Sequence, residues 1–224
     1  MKRNSRNIMV LSLAMGFSVF IMLCGLAAES NSKQEEWKLP AAKKKSRISL
    51  EEALTLRRSS KQGFSSEVLN EKQIGQILWA ARGVNRADGK LTSPSAMARY
   101  SVSVYVATDK GTFVYFSENH SLLPISDKDI REGIGTQDYV KTAPVILVFV
   151  ADFSKLPETI PMTRKISFVC AEAGAIGENV YLQCAALKLG TSFLGSIDKD
   201  FISEALNFGK DVEPLFGMPI GYVK

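Results

Sequence analysis

Residues 164–198, RKISFVCAEAGAIGENVYLQCAALKLGTSFLGSID, constrain the fold more than any other stretch. Their spacing predicts one long helix, a glycine stop, and a short strand or loop. Val169, Ala173, Ile176, Val180, Ala185, Ala186 and Leu189 cover more than one stripe of that helix. It is therefore expected to be buried on several sides. Gly174 and Gly177 each cost about 1 kcal/mol of helix propensity against alanine. Such a cost points to close approach of another backbone or a ligand. Gly190 follows Leu189 where a left-handed C-cap belongs. Thr191 to Ser196 then supply small residues and free backbone N–H groups.

The 224 residues fit one domain preceded by a leader. Lys2, Arg3 and Arg6 form a positive n-region, residues 8–25 an uncharged apolar core, and residues 25–28 a small-residue cleavage site. Residues 1–28 thus read as a signal peptide, and the protein as exported, periplasmic or extracellular. An uncleaved membrane anchor is the rival, because the apolar core is just long enough to span a bilayer. Lipidation of Cys24 is disfavoured by the bulky Leu23 before it. Removing the three leader cations from the formal charge of +5 leaves +2, too weak a balance to argue for nucleic acid. Residues 29–47 read as a flexible polar linker, whose run Lys43-Lys44-Lys45 and Arg47 is solvated. Cys170 and Cys184 stand 14 positions apart on the long helix. That separates them by about 21 Å at 1.5 Å per residue, beyond disulfide reach, so both are expected to be inert thiols.

The domain proper is expected over residues 48–224. Ser49-Leu50-Glu51-Glu52 is a capping box that starts a helix at Leu50, which ends in Arg57-Arg58-Ser59-Ser60-Lys61. Asn70 to Gln73 is a second capping signal, and Ile74, Ile77, Leu78 and Ala81 follow at helical spacing up to Gly83. Asn85 to Ala98 reads as a loop. Ser101–Ala107 and Thr112–Ser117 flank the Asp109-Lys110-Gly111 turn as a hairpin. Residues 127–141 read as two short helices. Ala143–Ala151, APVILVFVA, is a continuous apolar run suited to a central strand covered on both faces. A strand near Phe193–Ile197, a helix from Lys199 to about Phe208 and a last strand over Leu215–Val223 complete the chain. The mixture gives an α+β class with a sheet buried between helices.

Several chemistries have no residues to support them. The one histidine, His120, lies in a polar segment and reads as a solvated loop residue; no nucleophile elbow accompanies it. No zinc, calcium, Walker or GxGxxG spacing occurs. If the protein is an enzyme, an organic cofactor carries the hard chemistry. Arg57, Arg58, Ser59 and Lys61 put three cations and a hydroxyl within five positions, which suits a phosphate. Alone, the same residues describe a solvated basic helix end. Pro94-Ser95-Ala96 is small and rigid enough to lie against a flat ring, though turns use such residues widely.

The order LRRSSKQGF, ILWAARGVNR, TSPSA, TQDYVKTAPVILVFVAD, EAGAIGENVYLQCAALKLGTSFLGSID and PLFGMPIGY resembles the FMN-dependent nitroreductase family over residues 48–224. Within it, the ILWAA…PSA and QDYV…AP phrases are most similar to the azoline-oxidising, thiazole- and oxazole-forming dehydrogenases. The resemblance implies a mostly antiparallel central sheet, a long central helix at a homodimer interface, and FMN held between subunits. By the same resemblance Arg57, Arg58 and Ser59 bind the FMN phosphate, with Lys61 standing where relatives usually carry a second arginine. Pro94, Ser95 and Ala96 pack on the isoalloxazine of the partner subunit. Gly190 and Thr191 form the turn into Leu194, Gly195 and Ser196, whose N–H groups face flavin N5 and O4. The implied activity is ping-pong oxidoreduction from NAD(P)H or a small organic substrate to a second acceptor, with no side chain needed as catalytic acid or base. A non-catalytic, exported dimer that binds flavin or another ligand is the alternative.

Overall fold

The computed structural model describes residues 35–224. The leader expected over residues 1–28, Cys24 included, and the start of the linker lie outside the described residues. Among the described residues no helix is long and apolar enough to cross a membrane. The strands are β1 (Trp37–Lys38), β2 (Val102–Thr108), β3 (Gly111–Phe116), β4 (Ser121–Ser126), β5 (Val145–Asp152), β6 (Gly190–Thr191) and β7 (Val212–Gly221). They form one sheet in the order β1-β4-β3-β2-β5-β7-β6, with every neighbouring pair antiparallel. The helices are α1 (Leu50–Leu56), α2 (Glu71–Arg82), α3 (Arg131–Ile134), α4 (Asp138–Lys141), α5 (Met162–Ala186) and α6 (Lys199–Ala205). The α+β class expected from the sequence is the observed one.

The apolar run of β5 is explained by its place between β2 and β7 with helices over both faces. Leu147, Phe149 and Ala151 pack with Ile77 and Leu78 of α2 and with Val169, Ala173, Ile176 and Val180 of α5. Ile146, Val148 and Val150 point the other way, toward Ile134 of α3, Val140 of α4 and Ile202 of α6. Alternation along one strand thus builds two cores, one in each layer. Helix starts follow the sequence: Ser49 Oγ caps α1 by accepting from Glu52 N, and Asn70 and Gln73 form a reciprocal capping box on α2.

Other expectations need correction. Within the chain α5 has one buried face, Val169, Glu172, Ala173, Ile176, Gly177, Val180, Tyr181 and Cys184, whereas Ala171, Gly174 and Glu178 are exposed and Ala185 and Ala186 half-buried. Its C-terminus is a Schellman motif in which Leu189 N donates to Cys184 O and Lys188 N to Ala185 O. The left-handed residue there is Lys188, at φ 58°, and not Gly190. Gly190 instead belongs to β6, where a Cβ would overlap Val223 and press on Ser60. No strand covers Phe193–Ile197: Leu194 forms a single bridge to Gly217, and Ile197 one to Gly135.

Residues 37–43, expected to be flexible linker, are docked. Trp37 pairs with Leu122 at the sheet edge, Leu39 N donates to His120 O, and Gln76 holds both Lys43 N and Lys43 O. His120 is likewise half-buried rather than solvated. Its Nδ1 lies 2.8 Å from Tyr115 Oη and its Nε2 3.0 Å from Pro40 O. Cys184 is buried, and burial pushes its thiol pKa up, so it is inert as expected; Cys170 is half-buried and forms no disulfide among the described residues.

Candidate functional site

The turn after α1 carries the basic segment. Arg57 is the C-cap of α1, its N–H donating to Ala53 O. Its guanidinium lies 5.1 Å from the centre of the Tyr181 ring, and its Nε is 4.0 Å from Glu178 Oε1. That pair is long and half-exposed, so it leaves most of the positive field of Arg57 in place. Arg58 and Lys61 are exposed and form no ion pair among the described residues. Ser59 is exposed and its Oγ lies 2.7 Å from Tyr181 Oη.

The structure brings this segment against the stretch beyond α5. Ser60 N donates to Thr191 O at 2.8 Å, and Ser60 packs on Gly190 so closely that a Cβ would sit 2.9 Å from Ser60 Oγ. Tyr181 completes the junction: Phe193 N donates to the same phenol oxygen at 2.7 Å. The segment carrying Arg57, Arg58, Ser59 and Lys61 therefore meets Gly190 and Thr191 at one corner, and Leu194, Gly195 and Ser196 follow them in the chain. Leu194 N–H is engaged with Gly217 O at 2.8 Å, which corrects its expected place among the free donors. Gly195 and Ser196 are exposed, and neither N–H donates a hydrogen bond among the described residues. Thr191 is buried at 1% exposure, and its Oγ1 has no hydrogen-bond partner among the described residues.

Pro94, Ser95 and Ala96 form a second assembly, with no hydrogen bond or ion pair to the first among the described residues. Ser95 Oγ donates to Glu172 Oε2 at 2.7 Å and accepts from Tyr100 N at 2.7 Å. Glu172 also takes Arg82 Nη1 at 2.7 Å and Val102 N at 3.2 Å on its other oxygen. Burial lowers the Arg82 pKa, and the adjacent Glu172 charge opposes that shift. The following residues Met97, Ala98 and Tyr100 lie in the left-handed region, at φ 52°, 51° and 50°. The carboxylate thus holds a strained loop that presents the exposed Pro94 and Met97 at the surface. Glu172 and Tyr181 are nine positions apart on α5, or about 13 Å along the helix. One chain therefore holds the two halves of the expected site at separate places.

Sequence reasoning missed Glu172, Arg82 and Tyr181. The signal for Glu172 was a carboxylate on the same face as Val169 and Ala173, where a charge needs a partner. That for Tyr181 was a phenol on the Ala173–Val180 face, whose hydroxyl needs one too. Two cavities, of about 360 and 470 Å³, lie elsewhere: one beside Trp79 and Asn179, the other beside Arg131 and Lys141. Neither is lined by an expected site residue.

The chain matches one family of known proteins over most of its length. The family model described as "Nitroreductase family" matches residues 54–222. A candidate nitroreductase of Methanocaldococcus jannaschii is 31% identical over 184 residues, covering 78% of this chain and 91% of its own. A crystal structure of a candidate nitroreductase from Ralstonia eutropha is 34% identical with a TM-score of 0.81, over 86% of this chain and 91% of that one. The chain belongs to the nitroreductase family and has its fold. An NADPH:FMN oxidoreductase from Vibrio harveyi, solved with NAD+, shares that fold at 20% identity and a TM-score of 0.58, over 77% of this chain and 68% of its own.

Proposed function

We propose that the protein is an exported, FMN-dependent homodimeric oxidoreductase whose flavin sits at the corner between residues 57–61 and 190–196. The observation that carries this reading is the junction itself. Ser60 N–Thr191 O and Tyr181 fix the segment with three cations and the Ser59 hydroxyl to the segment that leads into the unengaged N–H groups of Gly195 and Ser196. That donor set fits a ligand with a phosphate at one end and carbonyl and imine acceptors at the other. The orphaned Thr191 Oγ1 adds one more polar group without an internal partner. The NADPH:FMN oxidoreductase from Vibrio harveyi on the same fold supports the choice of FMN.

Arg57, Arg58, Ser59 and Lys61 would hold the phosphate. Lys61 contributes charge without the bidentate fork of an arginine. Gly195 and Ser196 N–H would stabilise negative charge on the reduced ring. The Pro94–Ala96 loop would cover the ring of the partner subunit, which accounts for its distance from the other half of the site. FMN held by these residues would supply two-electron transfer, from NAD(P)H or an organic donor to a second acceptor, in ping-pong turnover. The residues of this chain bind and orient; none needs to move a proton.

The test is the visible spectrum of the purified full-length protein after dialysis without flavin. A retained flavin band that bleaches with NADH or NADPH is the expected result. A band that never bleaches leaves an FMN protein fed by an organic donor or the non-catalytic flavin-binding dimer, a reading that Lys61, in the place of a second arginine, also supports. No band, and none restored by added FMN, overturns both.

A further inference from the structure

Tyr181 is buried, at 8% exposure, and its hydroxyl has two partners among the described residues, Ser59 Oγ and Phe193 N, each at 2.7 Å. The Phe193 amide can only donate, so it occupies a lone pair of the phenol oxygen. The phenol's own proton then has one acceptor in reach, Ser59 Oγ. Were Ser59 to donate to Tyr181 instead, a buried O–H would be left without an acceptor, an arrangement that folded proteins avoid. The hydroxyl hydrogen of Ser59 is therefore left to donate outward from an exposed position.

We propose that Tyr181 is a positioning residue that fixes Ser59 as a hydrogen-bond donor to a phosphate monoester. The inference rests on the FMN reading above and goes beyond it by naming what sets the direction of the Ser59 proton. Two contacts hold the arrangement in place. The Arg57 guanidinium lies over the Tyr181 ring, and the Phe193 ring lies so close to Gly177, one turn before Tyr181, that a Cβ there would meet it at 2.5 Å. A hydroxyl whose hydrogen is directed outward among cations favours an anion that accepts it.

The experiment compares the dissociation constants of FMN and riboflavin, by flavin fluorescence, for the wild-type full-length protein, Tyr181→Phe, Ser59→Ala and the double variant. Tyr181→Phe keeps the ring and removes the hydroxyl, and with it the bonds to Ser59 Oγ and Phe193 N. It is expected to weaken FMN about tenfold, the scale of one hydrogen bond to a charged group, and riboflavin by less than about threefold. The double variant is expected to lose no more than the worse single variant, because both changes remove one hydrogen-bonded unit. Equal weakening of FMN and riboflavin, no weakening of FMN, or additive losses would overturn the proposal. Should Tyr181→Phe fail to fold, Ser59→Ala at its exposed position repeats the test, with a selective loss of FMN supporting the proposal and an equal loss of both ligands overturning it. If the wild-type protein itself does not prefer FMN to riboflavin, the phosphate clamp of the proposed function fails as well. If it does and Tyr181→Phe keeps that preference, this inference falls alone.

Discussion

Arg82 Nη1 lies 2.7 Å from Glu172 Oε1, with 7% of the one side chain and 2% of the other exposed. The pair joins α2 to α5, and the remaining oxygen of Glu172 holds Ser95. A buried pair of this kind adds little over an apolar one, but breaking it leaves a charge without a partner. Glu172→Gln is expected to cost about 3–5 kcal/mol in urea unfolding. Replacing both residues by methionine should cost clearly less. Equal losses for the single and double changes would show that the pair is not the source of the effect.

How much of this was legible in the sequence follows from the range of each signal. The caps at Ser49 and Asn70 are local, and the structure has them where the sequence put them. The run over Val145–Ala151 announces a doubly covered strand by composition alone. Strand β4 went unrecognised because Pro124 interrupts it; the proline is tolerated beside the register shift at Thr112/Phe113. β1 has only two residues, and its pairing with β4 depends on partners more than 80 positions away. The site divides in the same way. Its basic segment and its glycine turn are visible as motifs, whereas the Tyr181 phenol that joins them sits inside an apolar pattern that reads as core.

The two helical glycines of α5 predict opposite outcomes. A Cβ at Gly177 would meet the Phe193 ring at 2.5 Å, so Gly177→Ala should displace Phe193 and cost about 1–3 kcal/mol. A Cβ at Gly174 meets nothing within 4 Å. In an isolated subunit Gly174→Ala should therefore gain about 1 kcal/mol from helix propensity. If α5 forms the proposed homodimer interface, Gly174→Trp should instead dissociate the dimer. Thermal unfolding and sedimentation velocity separate these effects. A Gly174→Trp protein that stays dimeric would move the interface off this face of α5.

Gly190 links strand pairing to the basic segment. It pairs with Gly221 in β6–β7 and packs its bare Cα against Ser60 and Val223. Gly190→Ala should push residues 57–61 outward, with a loss of about 1–3 kcal/mol in stability and faster loss of flavin during dialysis. The first effect reads out in urea unfolding and the second in the absorbance that remains bound. Unchanged stability would mean that Val223 gives way without disturbing Ser60.

The pH dependence of stability near neutrality is expected to come from His120, the only histidine in the chain. Pro40 O can only accept, so Nε2 carries the hydrogen, and Nδ1 accepts from the Tyr115 hydroxyl. Burial raises the Tyr115 pKa, which keeps that phenol a donor. The neutral imidazole is thus fully satisfied, and protonation would turn a second N–H toward a group that already donates. Burial holds the His120 pKa below its usual value, with the Pro40 carbonyl opposing in part. The unfolded chain therefore takes up the proton first as pH falls. Stability should be greatest above about pH 6.5 and decline as pH drops through that ordinary imidazole value toward the folded one. The urea midpoint of the wild-type protein is expected to fall between pH 7.5 and 5.5. His120→Asn, which tolerates the left-handed backbone at φ 50°, should show a much flatter profile. Parallel profiles for the two proteins would assign the slope to groups other than this half-buried imidazole.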